Sequence, residues 1–166
     1  MITVEPLRPD HADALLAFER ANRAYFARSV PDRGDAYFAG FAERHAALLA
    51  EQAEGTCRFH VVLDAAGEVV ARVNLVDLAD GSAELGYRVA ESATGRGIAS
   101  TAVAEACRLA ATSYGLRALT AVTTVDNPAS QAVLTRNGFR LAHEFLLDDR
   151  PALAYQRPLP DLRPSA

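Results

Sequence analysis

Residues 82–125 read SAELGYRVAESATGRGIASTAVAEACRLAATSYGLRALTAVTTV, and this stretch decides the fold. Its opening SAELGYRVA alternates like a strand, and a helix follows from about Ile98 to Tyr114, with Gly115 as its stop. LRALTAVTTV is a further strand. Because a helical crossover joins the two strands, they must be parallel. The stretch therefore predicts a βαβ unit.

An antiparallel meander precedes this unit. CRFHVVLD and EVVARVNLVDL are typical of strands, and a turn at residues 64–67 separates them. Asp80-Gly81 predicts a hairpin turn into the strand of the βαβ unit. Earlier still, residues 2–8 alternate as a strand. Two helices should follow it, one opening at Pro9-Asp10 and one over residues 35–54.

The segment after the βαβ unit predicts one more helix and two strands. Asn127 is a natural N-cap, and Pro128 suits the first helical position because its missing N–H costs nothing there. Asn137-Gly138 ends the helix, and FRLAHEFLL and PALAYQR follow as strands. The predicted order is βααβββαβαββ. This is an α/β (α+β) fold with a mixed, mostly antiparallel sheet of about seven strands, four flanking helices and one central parallel unit.

Composition favours one globular domain. The chain has 166 residues, of which 50% are hydrophobic, enough for a single core over residues 1–157. Residues 158–166 hold three prolines and predict a tail. The formal net charge of −4 gives no basic footprint for a nucleic-acid duplex.

Targeting and metal signals are weak in this sequence. No apolar run approaches the roughly 20 residues of a membrane span, and the N-terminus does not follow the secretory pattern, so we expect a cytoplasmic protein. The two cysteines, Cys57 and Cys107, are expected to be buried thiols. The four histidines are scattered, so we expect no metal site.

The loop SATGRG carries the first functional signal. Gly95 and Gly97 allow a ligand to approach the backbone, Arg96 adds a positive charge, and the helix that follows presents free amides and the positive end of its dipole. Together they predict a phosphate or pyrophosphate cradle. A P-loop would need a lysine, and the chain has none; a dinucleotide fingerprint would need glycine where Ser100 stands.

Residues 94–99, TGRGIA, resemble the Q/R-x-x-G-x-G/A signature of the GNAT acetyltransferase superfamily, with Thr94 in place of the usual Gln or Arg. The segments GYRVAE, NPAS at 127–130, NGF at 137–139 and FERANRAYFARSVPDRGDAYF resemble the RimJ/RimL-like branch, the ribosomal-protein alanine acetyltransferases. The resemblance covers nearly the whole chain. It implies an N-acetyltransferase that uses acetyl-CoA.

The resemblance also implies which residues bind the coenzyme. Amides of residues 96–100 would hold the pyrophosphate, residues 87–90 would pair with pantetheine like an added strand, and Asn127 would offer its amide near pantetheine. The implied coenzyme-binding residues are Tyr87, Val89, Ala90, Gly95, Arg96, Gly97, Ile98, Ala99, Ser100, Asn127 and Ser130.

Proton handling has several candidates. The acceptor amine must be neutral to react, yet a free α-amino group has a pKa of ~7.7–8.0. Glu84 resembles the strand glutamate that acts as base in histone-acetylating members, while Asp149, Glu144 and water remain alternatives. Ser130 resembles the serine of the RimL-like branch near the sulfur. Some branches use a tyrosine acid where this chain has Leu134, which excludes that route.

The acceptor side is expected on the first two helices and the loop between them. The implied residues are Asn22, Tyr25, Phe26, Pro31 and Asn74. The acceptor would be a protein N-terminus or a small amine, acetylated directly in a ternary complex by a monomer or homodimer. The alternative is a non-catalytic acyl-CoA sensor with a degenerate site. Turnover with an amine would distinguish the two.

Overall fold

A computed structural model describes residues 1–161 and contains one seven-stranded sheet in the order β1-β2-β3-β4-β5-β7-β6. The strands are β1 Thr3–Pro6, β2 Arg58–Leu63, β3 Val69–Ala79, β4 Ser82–Val89, β5 Ala118–Thr124, β6 Arg140–Leu147 and β7 Arg150–Pro158. The helices are α1 Ala12–Ala21, α2 Arg23–Phe26, α3 Asp35–Ala39, α4 Phe41–Glu54, α5 Ile98–Thr112 and α6 Pro128–Arg136.

The predicted mixed sheet is confirmed. β1 to β4 form an antiparallel meander, β4 and β5 are parallel, and β5, β7 and β6 are antiparallel. β7 lies between β5 and β6, an order that the sequence did not specify. β7 ends at Pro158, which pairs with Ala118, so the strand extends one residue past the boundary predicted at 157. Residues 162–166 of the predicted tail lie outside the described residues.

Each of the two helices predicted before β2 is divided in the structure, so residues 1–161 contain six α-helices where four were predicted. Asn22 interrupts the first: its side-chain Nδ2 donates to the carbonyl of Phe18 at 2.9 Å, and a short second helix starts after it. Gly40, with φ −99° and ψ 20°, separates α3 from α4. Local breaks of this kind depend on one residue and carry little periodic signal.

Turn and cap chemistry follows the sequence. Asp80 and Gly81 both have positive φ, 54° and 78°, as a tight hairpin requires. Asn127 is the N-cap of α6, and its Oδ1 accepts a hydrogen bond from the amide of Ser130 at 3.1 Å. Pro128 occupies the first helical position. These elements were predicted from residue type alone, and the structure confirms them.

The sheet has helices on both sides. On the α1 face, α1 packs on β3 and α4 on β2, and Arg72 of β3 reaches Glu19 of α1. On the α5 face, α5 packs on β3 and β4 and α6 on β5. Strand alternation therefore divides β4: Arg88 also reaches Glu19 on the α1 face, while Tyr87 points to the α5 face.

The state of the cysteines and two searches of the structure can be reported for residues 1–161. Cys57 and Cys107 are both free and buried, as predicted. None of the helices in this part of the chain has the length and apolar character needed to cross a bilayer. Within the same residues, no three or more His, Cys, Asp or Glu side chains converge as a metal-binding group.

Candidate active site

The two parallel strands separate at their C-terminal ends. The last residue pair between β4 and β5 is Leu85 with Ala121. Beyond it, β4 continues to Val89 against β3, and β5 continues to Thr124 against β7. Among residues 1–161, no strand pairs with the backbone groups of β4 and β5 that face this gap. An extended ligand carrying amides can pair with such an edge.

A cavity of about 400 Å³ occupies the gap. Its walls come from α2 and the turn after it, from β4 and β5, from the loop before α5 and the first turn of α5, and from α6, with one residue from β6. The predicted site residues in the wall are Tyr25, Phe26, Tyr87, Val89, Ala99, Asn127 and Ser130. The structure thus brings both the predicted coenzyme side and the predicted acceptor side to one cavity.

The other predicted residues lie outside the cavity wall. They are Asn22, Pro31, Asn74, Glu84, Ala90, Gly95, Arg96, Gly97, Ile98 and Ser100. Several are sequence neighbours of wall residues: Ile98 and Ser100 flank Ala99 at the start of α5, and Pro31 follows Val30.

The start of α5 has the geometry of an anion cradle. Gly97 is the N-cap, with φ 73° and no side-chain cap, and the first intrahelical hydrogen bond runs from the amide of Thr101 to the carbonyl of Gly97. The amides of residues 98–100 therefore have no acceptor one turn earlier. A Cβ at Gly95 or Gly97 would meet no atom within 4 Å, so both glycines border open space. Free amides and the helix dipole favour a negative charge there.

Two predicted coenzyme residues differ from expectation in their surroundings. Arg96 is exposed and lines a separate depression with Asp64 and Ile98, outside the main cavity. The amide of Ala90 donates to the carbonyl of Val70 at 2.9 Å, and Ala90 is buried. Its N–H is therefore already used inside the protein.

A pair of hydroxyl groups lies in the cavity wall on the α5 face. Tyr87 Oη and Ser130 Oγ are 3.0 Å apart. Burial raises the pKa of Tyr87, and the hydrogen bond with Ser130 opposes that rise in part. The tyrosine is therefore protonated at neutral pH and able to donate a proton. Sequence reasoning had chosen Tyr87 for its backbone and missed its hydroxyl.

Glu84 lies at the base of the gap. It is half-buried, lies opposite Val76 of β3 and Thr120 of β5, and precedes by one residue the last pair between the parallel strands. Burial raises the pKa of its carboxyl group, and the negative charge of Asp77 raises it further. By strand alternation the Glu84 side chain points to the α1 face. Position 86 of β4 faces the same side, and Gly86 is in the cavity wall.

The other two carboxylates considered as bases are more remote. Glu144 lies in β6 and Asp149 in the turn that follows it, and both are exposed. Neither is in the cavity wall, although Leu147, between them in sequence, is.

The asparagines predicted on the acceptor side have different environments. Asn22 is buried, and besides its bond to Phe18 its Oδ1 accepts from the amide of Glu91 at 2.9 Å. Its carboxamide is therefore occupied within the fold. Asn74 lies opposite Gly86 on the α1 face, and its Oδ1 is buried without a hydrogen-bond partner among the described residues.

A cluster of charged groups adjoins the cavity on the α1 face and was not predicted. Glu19, which is 1% exposed, contacts Arg72 at 2.8 Å and Arg33 and Arg88 at 3.5 Å each. We call these four residues the arginine cluster. Arg88 is also in the cavity wall and lies over the ring of Phe26, with its guanidinium carbon 4.9 Å from the ring centre. The partners lie up to 69 positions apart in sequence, so residue spacing gave no signal for them.

Comparison with known proteins agrees with this geometry. The profile of a family described as an acetyltransferase (GNAT) domain matches residues 2–140. In sequence comparison, no curated protein matches the chain.

Three solved structures illustrate the similarity. Ribosomal-protein-S5-alanine acetyltransferase from Vibrio fischeri has a TM-score of 0.90 at 19% identity, over 98% of this chain and 96% of that chain. RimJ from Mycobacterium smegmatis, solved with a CoA disulfide, has a TM-score of 0.85 at 25% identity, over 95% and 81%. Spermidine N-acetyltransferase from Vibrio cholerae, solved with CoA and spermine, has a TM-score of 0.79 at 18% identity, over 95% of each chain.

Proposed function

The chain belongs to the GNAT acetyltransferase family and is an acetyltransferase with acetyl-CoA as co-substrate; from this premise we propose that it transfers the acetyl group directly to a primary amine in a ternary complex. The acceptor is the N-terminal α-amine of a protein or a small amine. The observation that carries the proposal is the gap between β4 and β5, which has the start of α5 on one face and Phe26 and Arg88 on the other.

The coenzyme fits the α5 face of this gap. The free amides of residues 98–100 would hold the pyrophosphate, and the open space beside Gly95 and Gly97 leaves room for it. The unpaired edge of β4 would pair with the amides of pantetheine. Because the amide of Ala90 is already bonded to Val70, this pairing would end at Val89.

The acceptor fits the α1 face. Tyr25 and Phe26 from α2 supply aromatic wall there, and Val30 and Leu147 bring the turn after α2 and the end of β6 into the same wall. The structural relatives with ribosomal-protein and spermidine names act on amines of very different size. The acceptor class therefore has to come from the chemistry of this chain's own cavity.

Glu84 is our choice for the group that receives the amine proton. Acetyl-CoA supplies a thioester; the amine nitrogen forms a bond to the acetyl carbonyl carbon as the bond from that carbon to sulfur breaks. Glu84 lies on the acceptor face at the base of the gap. Its pKa is raised toward neutral pH, and a general base is most effective when its pKa lies near the pH at which it works. Because Glu84 is outside the cavity wall, one water molecule would connect it to the amine.

Tyr87 and Ser130 are our choice for protonating the sulfur that leaves. Their hydroxyls share a hydrogen bond in the wall on the coenzyme face. Either hydroxyl can donate a proton to the thiolate while the other donates a hydrogen bond to the oxygen that has lost its proton. Asn127 fixes the position of Ser130 by capping α6 through the amide of that residue.

A thiol-release assay tests the proposal. Purified protein is incubated with acetyl-CoA and a panel of amines and N-terminal peptides, and free CoA and acetylated product are measured over time. We expect product only when both an amine and the protein are present. Saturable CoA binding without turnover on any acceptor would instead support the non-catalytic sensor. No binding of CoA would contradict the placement of the coenzyme altogether.

A further inference from the structure

The arginine cluster carries a net positive charge. It contains three guanidinium groups and one carboxylate, so two positive charges are in excess. Glu19 and Arg72 are almost completely buried, at 1% and 4% exposure, and form the closest pair. Arg33 and Arg88 contact the same carboxylate at 3.5 Å and remain partly exposed. The excess charge is therefore on the side of the cluster that meets solvent and the cavity.

Arg88 is the member of the cluster that faces the cavity. It is in the cavity wall, and its guanidinium lies against the ring of Phe26, another wall residue, which restricts its orientation. Burial lowers the pKa of Arg88, and the positive charge of Arg33 lowers it further while Glu19 opposes this. A guanidinium in such surroundings keeps its charge and gains from an additional anion.

Neighbouring charges do not supply that anion within the described residues. Asp32 and Asp35 are both bonded to Arg23, at 2.8 Å each. Farther along, Glu91 pairs with Arg28 at 3.5 Å, and both side chains are more than half exposed. Water and salt screen such exposed pairs much more than a group in the cavity wall.

The coenzyme does not account for the charge either. Its phosphates are placed at the start of α5, on the α5 face, whereas Arg88 contacts Glu19 and Phe26 on the α1 face. The α1 face is the side from which the acceptor enters the gap in the proposed function.

We propose that Arg88, supported by Arg33, binds a carboxylate of the acceptor, so that the preferred substrate is a primary amine that carries an anionic group near its amino nitrogen. This inference rests on the proposed function and specifies its acceptor. A polyamine such as spermidine carries several positive charges and would meet the excess positive charge of the cluster. The structural similarity to a spermidine acetyltransferase therefore does not extend to its acceptor.

Two sources of such an acceptor share this chemistry. One is a peptide N-terminus with an acidic side chain at its first or second residue; the other is a free amino acid, whose own carboxylate is close to the amine. A guanidinium fork binds either carboxylate in the same bidentate manner. The two sources are separated by the substrates of the test.

The first arm of the test uses the wild-type protein and matched peptides. Amidated tetrapeptides that differ only at their second residue (Glu, Gln or Lys) are compared with free glutamate and with spermidine in the thiol-release assay. We expect kcat/KM for the Glu peptide or for free glutamate to exceed that for the Gln peptide by roughly ten- to a hundredfold, the range of one charge-assisted hydrogen bond. The Lys peptide and spermidine should be the poorest substrates.

The second arm uses variants of the cluster. Arg88→Gln should reduce the preference for Glu over Gln to about onefold, whereas Arg88→Lys should keep part of it because the charge remains. Arg23→Gln is the matched control: it removes a nearby arginine that has its own carboxylate partners, and it should leave the preference unchanged. CoA affinity, measured by titration, should be the same in all four proteins and reports that each is folded.

The outcomes separate this inference from the proposed function. Turnover in which kcat/KM for neither the Glu peptide nor free glutamate exceeds that for the Gln peptide, or a preference for spermidine, would overturn the carboxylate site and leave the acetyltransferase activity standing. Loss of CoA affinity in Arg88→Gln, without a change in acceptor preference, would assign Arg88 to the coenzyme and also overturn it. No turnover with any amine would overturn both.

Discussion

Tyr87 Oη lies 3.0 Å from Ser130 Oγ, and this single contact joins β4 to α6 across the gap between the two parallel strands. Both residues are in the cavity wall, and burial keeps the tyrosine protonated at neutral pH. The contact thus places two proton donors beside the proposed path of pantetheine. Position 134 on α6 carries leucine, so the tyrosine hydroxyl that contacts Ser130 comes from β4 and not from that helix.

Tyr87→Phe removes the hydroxyl while it keeps the ring. We expect kcat for acetyl transfer to fall by about a hundredfold, in the range of a lost general acid, with little change in the Kd for CoA. Ser130→Ala should lower kcat as well, and the double variant should be no slower than the slower single variant because the two hydroxyls act as a unit.

The matched control for this prediction is Tyr114→Phe. The Tyr114 hydroxyl also contacts a buried side chain, His60, but it is not in the cavity wall. That variant should keep the wild-type kcat. Equal kcat in Tyr87→Phe and wild type would assign the sulfur proton to another donor.

Glu84→Gln tests the proposed base through the pH profile. Since a base must be deprotonated, wild-type kcat should fall as pH decreases through the pKa of Glu84, which burial and Asp77 raise above its ordinary value. The variant should lose this acidic limb and be slower by about a hundredfold. Glu144→Gln and Asp149→Asn serve as comparisons, and an altered limb in either of them would transfer the role to that residue.

Glu84→Gln, which should lower kcat, should raise the thermal stability of the protein at neutral pH. A carboxyl group with a raised pKa in the folded state destabilises the fold when it is ionised, so its contribution is most favourable at low pH and is lost as pH rises through that pKa. Glu84→Gln should therefore have a higher Tm than wild type at neutral pH, and the difference should disappear in acid. A lower Tm at neutral pH would mean that the ionised carboxylate is stabilised by its surroundings.

Gly97→Leu tests the anion cradle. The side chain would project into open space next to the free amides of α5, so we expect the Kd for CoA to rise about tenfold or more. The left-handed backbone at this position adds a strain of about 1–2 kcal/mol. Gly67→Leu is the control, because Gly67 has φ 82° and equally open surroundings in the β2–β3 turn, away from the cavity. If both variants bound CoA alike, the cradle would be misplaced.

Glu19→Gln tests how the arginine cluster is held. The substitution leaves three guanidinium groups around a neutral side chain, one of them the buried Arg72. Breaking a buried ion pair by removing one partner costs about 3–5 kcal/mol, and we expect a loss of that size in urea unfolding. Replacing Glu19 and Arg72 together with methionine should cost less. A loss below about 1 kcal/mol in the single variant would show that water reaches the cluster.

Local patterns in the sequence were sufficient for most of the fold. The parallel pairing of β4 and β5 follows from one helical crossover, and the turns at Asp80-Gly81 and the cap at Asn127 follow from residue type. The division of the first helix at Asn22 depends on one side chain that donates to a carbonyl four residues earlier, which hydrophobic periodicity does not register. Hydrophobic periodicity also does not specify which strands are neighbours, so it could not place β7 between β5 and β6.

The site was less accessible to sequence reasoning than the fold. The glycines at 95 and 97 were recognised because their backbone conformation is a local property, and both have positive φ. The partners of Tyr87 and Arg88 lie 43 and 69 positions away, so no spacing rule could connect them. These two adjacent residues point to opposite faces of the sheet and contact different helices there.

The carboxamide of Asn22 connects the end of α1 to the loop that follows β4. Its Nδ2 donates a hydrogen bond to the carbonyl of Phe18 in α1. Its Oδ1 accepts one from the amide of Glu91, at the start of the segment that leads to Gly95. The end of α1 and the beginning of that segment cannot be displaced separately without breaking one of these two bonds. One side chain thus ties the end of the helix that precedes Tyr25 to the start of the loop that leads from β4 to Gly95, so the two segments are positioned together.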